Sequence, residues 1–209
     1  MTAEILKFDP ANPERSFSRC REVILSGGVI AYPTDTFYGL GADPRNPAAV
    51  KRLFKIKGRQ TDQPILLLLH DASAVGEWTD EITVVAQRLM REYWPGPLTL
   101  VFKACASVIP ELTASTGSIG LRVPGSEFDR NLLSYFGIAL TGTSANVSGG
   151  RGTRTARETA DAVGGAVNLI IDAGPTVGGE PSTIVDVRTE RLSVIREGAI
   201  PSRELRTKV

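Results

Sequence analysis

Short apolar runs alternate with amphipathic stretches along most of the chain, and each run is fenced by Gly, Pro, Asn or Asp. The first amphipathic stretch opens on Asn12-Pro13 and closes on Gly27-Gly28. A cap residue, a proline in the first turn and an exit glycine predict a helix there. Residues 28–32 read as a buried strand ended by Pro33. Residues 34–43 predict a polar, glycine-containing loop. Asn46-Pro47 starts a second helix with Val50, Leu53, Phe54 and Ile56 on its apolar side, and Gly58 stops it. The aliphatic run at 65–69, between Pro64 and His70-Asp71, predicts a central strand. Downstream, the pattern predicts a helix over 82–93, a break at Trp94-Pro95-Gly96-Pro97, and strands over 98–102 and 119–123. It continues with a helix over 127–136, a strand over 138–141, a polar glycine-rich loop over 142–155, a helix over 156–163 and a strand over 168–172. Residues 182–187 and 192–196 predict two strands joined by a turn at Thr189-Glu190. Strand–helix alternation followed by strand after strand predicts an α/β fold, a mixed sheet covered by helices in one domain spanning 1–209.

Composition adds mainly exclusions. The chain is 42% hydrophobic and 22% charged, an ordinary globular balance that allows a sizeable core. A net charge of +1 gives no global drive towards nucleic acid, though a local basic patch is compatible with it. The two cysteines, Cys20 and Cys105, lack metal-site spacing. The N-terminus carries early charges and no apolar core of a signal peptide, and no apolar run is long enough to span a bilayer. These features predict a cytoplasmic protein with reduced thiols and no membrane partner.

Common catalytic templates are missing. There is no P-loop signature, no G-x-G-x-x-G after the first strand and no G-x-S-x-G elbow, and His70 is the single histidine. Four loops rich in hydroxyls, glycines and cations remain. The first runs from Tyr32 to Gly41 at a strand exit, where α/β sheets bind ligands; its Thr and Asp side chains can hold a small zwitterion or simply bond the local backbone. In the second, Lys57 and Arg59 flank Gly58 and can grip phosphates, or merely complement a helix C-terminus. The third, around Thr143-Ser144-Ala145-Asn146, suits phosphate or adenine contacts, or is an ordinary polar loop. In the fourth, a hairpin brings Ser182 at the start of one strand to Arg196 at the end of the next. Arg122, near another strand end, is either a further ligand-facing cation or a solvated one.

Together these loops resemble the YrdC-like family of threonylcarbamoyl-AMP synthases. The resemblance runs from Gly27-Gly28-Val29-Ile30-Ala31-Tyr32-Pro33-Thr34-Asp35-Thr36 to Ile195-Arg196-Glu197-Gly198. Between them come Lys57-Gly58-Arg59, Trp94-Pro95-Gly96-Pro97-Leu98-Thr99, Leu121-Arg122-Val123-Pro124, Thr143-Ser144-Ala145-Asn146 and Pro181-Ser182-Thr183. Each motif is weak alone, whereas their shared order is specific. The resemblance implies a twisted mixed sheet with helices around a concave, positively lined cavity. It implies a nucleotidyltransferase that joins L-threonine, bicarbonate or CO2 and ATP into threonylcarbamoyl-AMP and pyrophosphate, with Mg²⁺ held mainly by the nucleotide. A downstream transferase complex then modifies tRNA, and weak tRNA or double-stranded RNA binding accompanies this role. By motif, Lys57, Arg59, Ser144 and Asn146 fall on catalytic positions. Arg59, Gln63, Ser118, Thr143, Ser144, Asn146, Gly152 and Arg196 fall on the ATP side. Thr34, Thr36, Arg122, Gly142 and Ser182 fall on the threonine side.

Two departures set the chain apart from many members. Gln63 stands before Pro64 where they have Asn, and the following strand is all leucine up to Leu69 where they have a histidine. The extra C-terminal domain of the long members has no counterpart, so the resemblance is to the short form. The rival readings are a non-catalytic paralogue that binds double-stranded RNA or tRNA, and a carbamoyl-adenylate-forming component of a carbamoyltransferase.

Overall fold

The computed structural model describes residues 2–58, 64–147 and 149–208. Ten strands form one mixed sheet in the order β1-β8-β2-β3-β7-β4-β6-β5-β9-β10. In chain order they are β1 (Glu4–Lys7), β2 (Ile30–Pro33), β3 (Tyr38–Gly41), β4 (Leu66–Leu68), β5 (Leu98–Lys103), β6 (Ser118–Arg122), β7 (Leu140–Ser144), β8 (Leu169–Asp172), β9 (Thr183–Asp186) and β10 (Ser193–Arg196). The helices are α1 (Pro13–Leu25), α2 (Pro47–Lys57), α3 (Val84–Tyr93), α4 (Pro110–Thr113), α5 (Glu127–Phe136), α6 (Ala156–Val163) and α7 (Ser202–Leu205).

Two apolar layers sandwich the sheet. Phe17, Cys20 and Ile24 of α1 and Leu132, Leu133 and Phe136 of α5 pack on Ile30, Tyr32, Leu140 and Leu169. On the other side, Leu53 and Phe54 of α2, Leu89 of α3 and Val163 of α6 share a core with Leu40, Leu67, Leu100 and Ile170. The β4 strand, read from its aliphatic run, sits centrally between β7 and β6. Helix ends follow their sequence signals: Asn46 caps α2 by accepting from Ala48 N and Ala49 N, and Gly58 closes it at φ +59°.

Besides the short helices α4 and α7, which the pattern does not announce, the structure differs from the sequence pattern at three places, each for a physical reason. Residues 34–43 are not all loop, because Tyr38–Gly41 is β3, paired antiparallel to β2. Its two glycines look like breakers but are spacers. A Cβ on Gly41 would lie 2.9 Å from the Tyr32 ring, and one on Gly39 3.0 Å from Thr34 Cγ2. The strand expected at 138–141 lies at Leu140–Ser144 instead, so the first residues of the polar loop belong to the sheet, paired with β3 and β4. The edge strand β1 pairs parallel to β8 and has no apolar alternation to announce it, since three of its four residues are exposed.

Candidate functional site

At the ends of β2, β4, β6 and β7 a cavity of about 340 Å³ opens, closed on its far side by the β9–β10 hairpin. Thr34, Thr36, Arg122, Gly142, Thr143, Ser144, Ser182 and Arg196 all line it. All five threonine-side positions and three of the ATP-side positions are thus brought together from segments up to 162 residues apart in sequence.

The hairpin geometry is as the sequence suggested. Arg196 Nη2 donates to the Ser182 carbonyl at 2.7 Å. The Ser182 hydroxyl lies 2.9 Å from Thr99 Oγ1, so the two share a hydrogen bond. Thr183 braces the base of the hairpin: its Oγ1 donates to Ile200 O and accepts from Gly198 N and Ile200 N. Arg122 is no solvated cation, since its side chain is 7% exposed and Nη2 donates to Asp35 Oδ1 at 2.7 Å. Burial and the nearby charge of Arg122 push the Arg196 guanidinium below its usual value. Two like charges facing one cavity favour an anion between them, because an anion relieves their mutual repulsion.

The Tyr32–Gly41 loop divides between its two readings. The Thr34 hydroxyl is spent locally, donating to Phe37 O at 2.7 Å and accepting from Thr36 N. Asp35 is committed to Arg122. Thr36 lines the cavity alongside Phe37.

Lys57 settles the second loop. It is 1% exposed, so it is not a cation merely decorating a helix end. Its Nζ donates to Ser144 O at 2.6 Å, Ser144 Oγ at 3.2 Å and Asn146 Oδ1 at 2.9 Å. Ser144 Oγ in turn donates to Asn146 Oδ1 at 2.5 Å, and Asn146 Nδ2 donates to Gly150 O. One buried ammonium therefore fixes the loop after β7 and turns Ser144 to the cavity wall. Gly152 lies flat against Phe37, where a Cβ would come within 2.8 Å of the ring. Ser118 stands apart at the start of β6, four residues from Arg122, its Oγ 2.7 Å from Thr116 Oγ1, and it does not line this cavity. Arg59 and Gln63 lie outside the described residues.

Comparison with known proteins decides the family. A family model for the Sua5, YciO and YrdC proteins, described as telomere recombination, matches residues 22–198. The chain belongs to the Sua5/YciO/YrdC family. It is 33% identical over 182 residues to a threonylcarbamoyl-AMP synthase of Pyrococcus abyssi, covering 87% of this chain but 54% of the relative. The chain therefore spans little more than half the length of that protein. A shorter threonylcarbamoyl-AMP synthase, from Thiobacillus denitrificans, is 36% identical over 79% of this chain and 88% of its own. Among solved structures, P. abyssi Sua5 complexed with L-threonine superposes with TM-score 0.92 at 30% identity, over 98% of this chain and 60% of that one. E. coli YciO superposes with TM-score 0.87 at 29% identity, over 97% and 99%. The twisted mixed sheet flanked by helices is thus the family fold.

Several cavity residues carried no sequence signal of their own. Leu66 and Leu68 form one wall, and a Cβ on Gly142 would lie 2.9 Å from Leu68 Cγ. Asp129 did leave a signal. It falls in register with Leu132, Leu133 and Phe136 on the buried stripe of α5, an acid at a core position. Burial and nearby Asp35 push its carboxyl well above the usual carboxylate range, against the opposing influence of Arg122, Ser126 and Arg130.

The neutral acid is thus favoured in the fold. The stability linked to that proton is fully present below the unfolded pKa of about 3.9 and is lost as pH rises through the raised folded value. Asp129→Asn carries no such proton. Its melting temperature relative to the parent is expected to climb as pH rises above about 4, levelling off at the folded value. A gap that stays flat across a pH series contradicts this.

Proposed function

We propose that this chain is an L-threonylcarbamoyladenylate synthase, a nucleotidyltransferase acting on L-threonine, bicarbonate or CO2 and ATP. The observation that supports this most strongly is the buried Lys57, whose ammonium holds Asn146 and holds Ser144, which lines a cavity also lined by Arg122 and Arg196. A silent RNA-binding paralogue has no need for a buried lysine built into a pocket wall. The short relative from Thiobacillus denitrificans bears the synthase name over most of its length.

The chemistry needs positioning and charge more than a protein nucleophile. The threonine amine, as the free base, attacks CO2 and releases a proton to solvent, or attacks bicarbonate with loss of water, giving an N-carboxylate. One oxygen of that carboxylate then attacks the α-phosphorus of ATP. The bond to the bridging oxygen breaks, and pyrophosphate leaves with the electron pair. Negative charge builds on the phosphoryl oxygens and the leaving group, so fixed cations and hydrogen-bond donors lower the barrier. Arg122 and the Ser182 side of the cavity would take the amino acid, with Thr36 and Gly142 beside it. Arg196, Thr143, Ser144, Asn146 and Gly152 would face the nucleotide with Arg59, Gln63 and Ser118, and Lys57 would hold Ser144 and Asn146 in place. Among the described residues no group of three or more His, Cys, Asp or Glu stands together as metal ligands. A Mg²⁺ ion would accordingly be carried by the triphosphate.

The product would pass to a transferase complex that modifies tRNA, a role that would be cytoplasmic; weak tRNA or double-stranded RNA contact fits that role. Among the described residues no helix is long and apolar enough to cross a membrane. The test is incubation with ATP, Mg²⁺, bicarbonate and labelled L-threonine, followed by mass identification of the nucleotide product. Threonylcarbamoyl-AMP is expected, and AMP without a threonyl group contradicts the proposal.

A further inference from the structure

Beneath the amino-acid end of the cavity lies a cluster of buried polar atoms that the proposed reaction does not use. The Tyr32 hydroxyl, Arg122 Nε and both carboxylate oxygens of Asp129 are buried, and none has a hydrogen-bond partner among the described residues. Such groups are rare in native folds, because each gives up its bonds to water without regaining one. Here four occur together. They belong to one electrostatic neighbourhood: the raised carboxyl of Asp129 responds to Asp35 and Arg122. The Tyr32 hydroxyl, pushed up first by burial, responds to Asp129, Arg122 and Asp35. Tyr32 and Arg122 both line the cavity, whereas Asp129 lies behind them, 0% exposed on the first turn of α5.

The chemistry of the four atoms is complementary. Tyr32 Oη–H and Arg122 Nε–H are donors, and the carboxyl of Asp129 offers acceptor lone pairs to them even when it carries its proton. Arg122 meanwhile spends one Nη2 hydrogen on Asp35, outside the cluster. Acidic residues near a helix N-terminus ordinarily face solvent, where the dipole favours them at no desolvation cost. Asp129 is turned inward instead; its backbone N–H donates to Ser126 Oγ at 3.3 Å, and the same hydroxyl favours the charged form of its carboxyl.

We propose that Asp129 is a positioning residue for the amino-acid end of the site, the group against which Tyr32 and Arg122 are set when a substrate carboxylate engages the Arg122 guanidinium. The substrate draws the arginine's free edge outward into the cavity. Asp129 and Tyr32 then fix its inner edge by pairing the buried donors and acceptors that have no other partner among the described residues. The effect falls on amino-acid affinity, not on the nucleotide, because Asp129 touches neither substrate. This inference rests on the synthase reading, since it takes threonine as the occupant.

The experiment is titration calorimetry of L-threonine, and separately of Mg·ATP, with the whole protein and the variants Asp129→Ala, Asp129→Asn and Tyr32→Phe. Coupling within a buried network of this kind changes affinity by roughly three- to a hundredfold. Asp129→Ala is expected to weaken threonine about tenfold and leave Mg·ATP within about twofold. Asp129→Asn keeps a carbonyl acceptor in the same volume and should restore most of the lost affinity. Tyr32→Phe should weaken threonine severalfold, and combining it with Asp129→Ala should add little more. Unchanged threonine affinity in Asp129→Ala, or equal losses for both ligands, overturns the proposal. If Asp129→Ala does not fold, Tyr32→Phe decides: weakened threonine with intact Mg·ATP supports the cluster, and unchanged threonine refutes it. A parent protein that binds no L-threonine instead sinks the synthase reading, and this inference with it.

Discussion

Lys57→Met is expected to lower threonylcarbamoyl-AMP formation by about 10²–10³-fold at saturating substrates, the scale seen when one preorganised donor is lost from a transition state. Methionine matches lysine in length and tolerates burial, so the change removes the ammonium and little else. Two consequences must be separated. The carbonyl of Ser144 and Oδ1 of Asn146 lose a charged donor, which costs about 1–3 kcal/mol of stability. A melting-temperature drop of several degrees is therefore expected on any account. The synthase reading adds that activity per folded molecule falls far more than stability does. Assays run well below the melting temperature distinguish these outcomes. Near-normal synthesis by a less stable Lys57→Met protein would make Lys57 a strut for the loop and nothing more.

Arg122→Ala carries the second large effect. The substitution leaves the Asp35 carboxylate unpaired, and breaking a buried ion pair costs about 3–5 kcal/mol. Because the Asp35 side chain is 19% exposed, the lower end, about 3 kcal/mol, is expected. Function should suffer selectively. A guanidinium holding a carboxylate through two charge-assisted bonds accounts for about 10²–10⁴-fold in affinity, at about 1.5–3 kcal/mol per bond. The KM for threonine should rise by about that factor, with a smaller rise for ATP through loss of the neighbouring charge at Arg196. Arg122→Lys should recover stability more than affinity, because a point charge cannot reproduce the planar fork. A KM for threonine that moves no more than that for ATP would remove Arg122 from the amino-acid end.

Much of this site was readable before the structure, because its residues sit at punctuation marks of the chain. Lys57 ends a helix capped at both ends by strong signals, Asn46 and Gly58. Ser182 and Arg196 bracket a hairpin, so their meeting follows from antiparallel pairing alone. What stayed hidden depends on third dimensions. Gly39 and Gly41 read as loop formers, yet their lack of a side chain is what lets β3 lie beside Tyr32 and Thr34 within the sheet. Whether Lys57 was buried or solvated was open in the sequence, since the helix macrodipole rationalises either, and only the partner loop 87 residues away closes the question. Asp129 was passed over in the sequence, although it is an acid on the apolar stripe of α5, and its surroundings depend on the distant β2 and β6.

The central claim is that an N-carboxylated threonine attacks ATP in this cavity. It is tested most directly by pyrophosphate release, followed continuously with ATP and Mg²⁺ present and threonine and bicarbonate added singly or together. Release is expected only when both are present, with serine a poorer replacement for threonine and valine poorer still. Pyrophosphate formed equally fast without threonine, or without any source of CO2, would contradict the account.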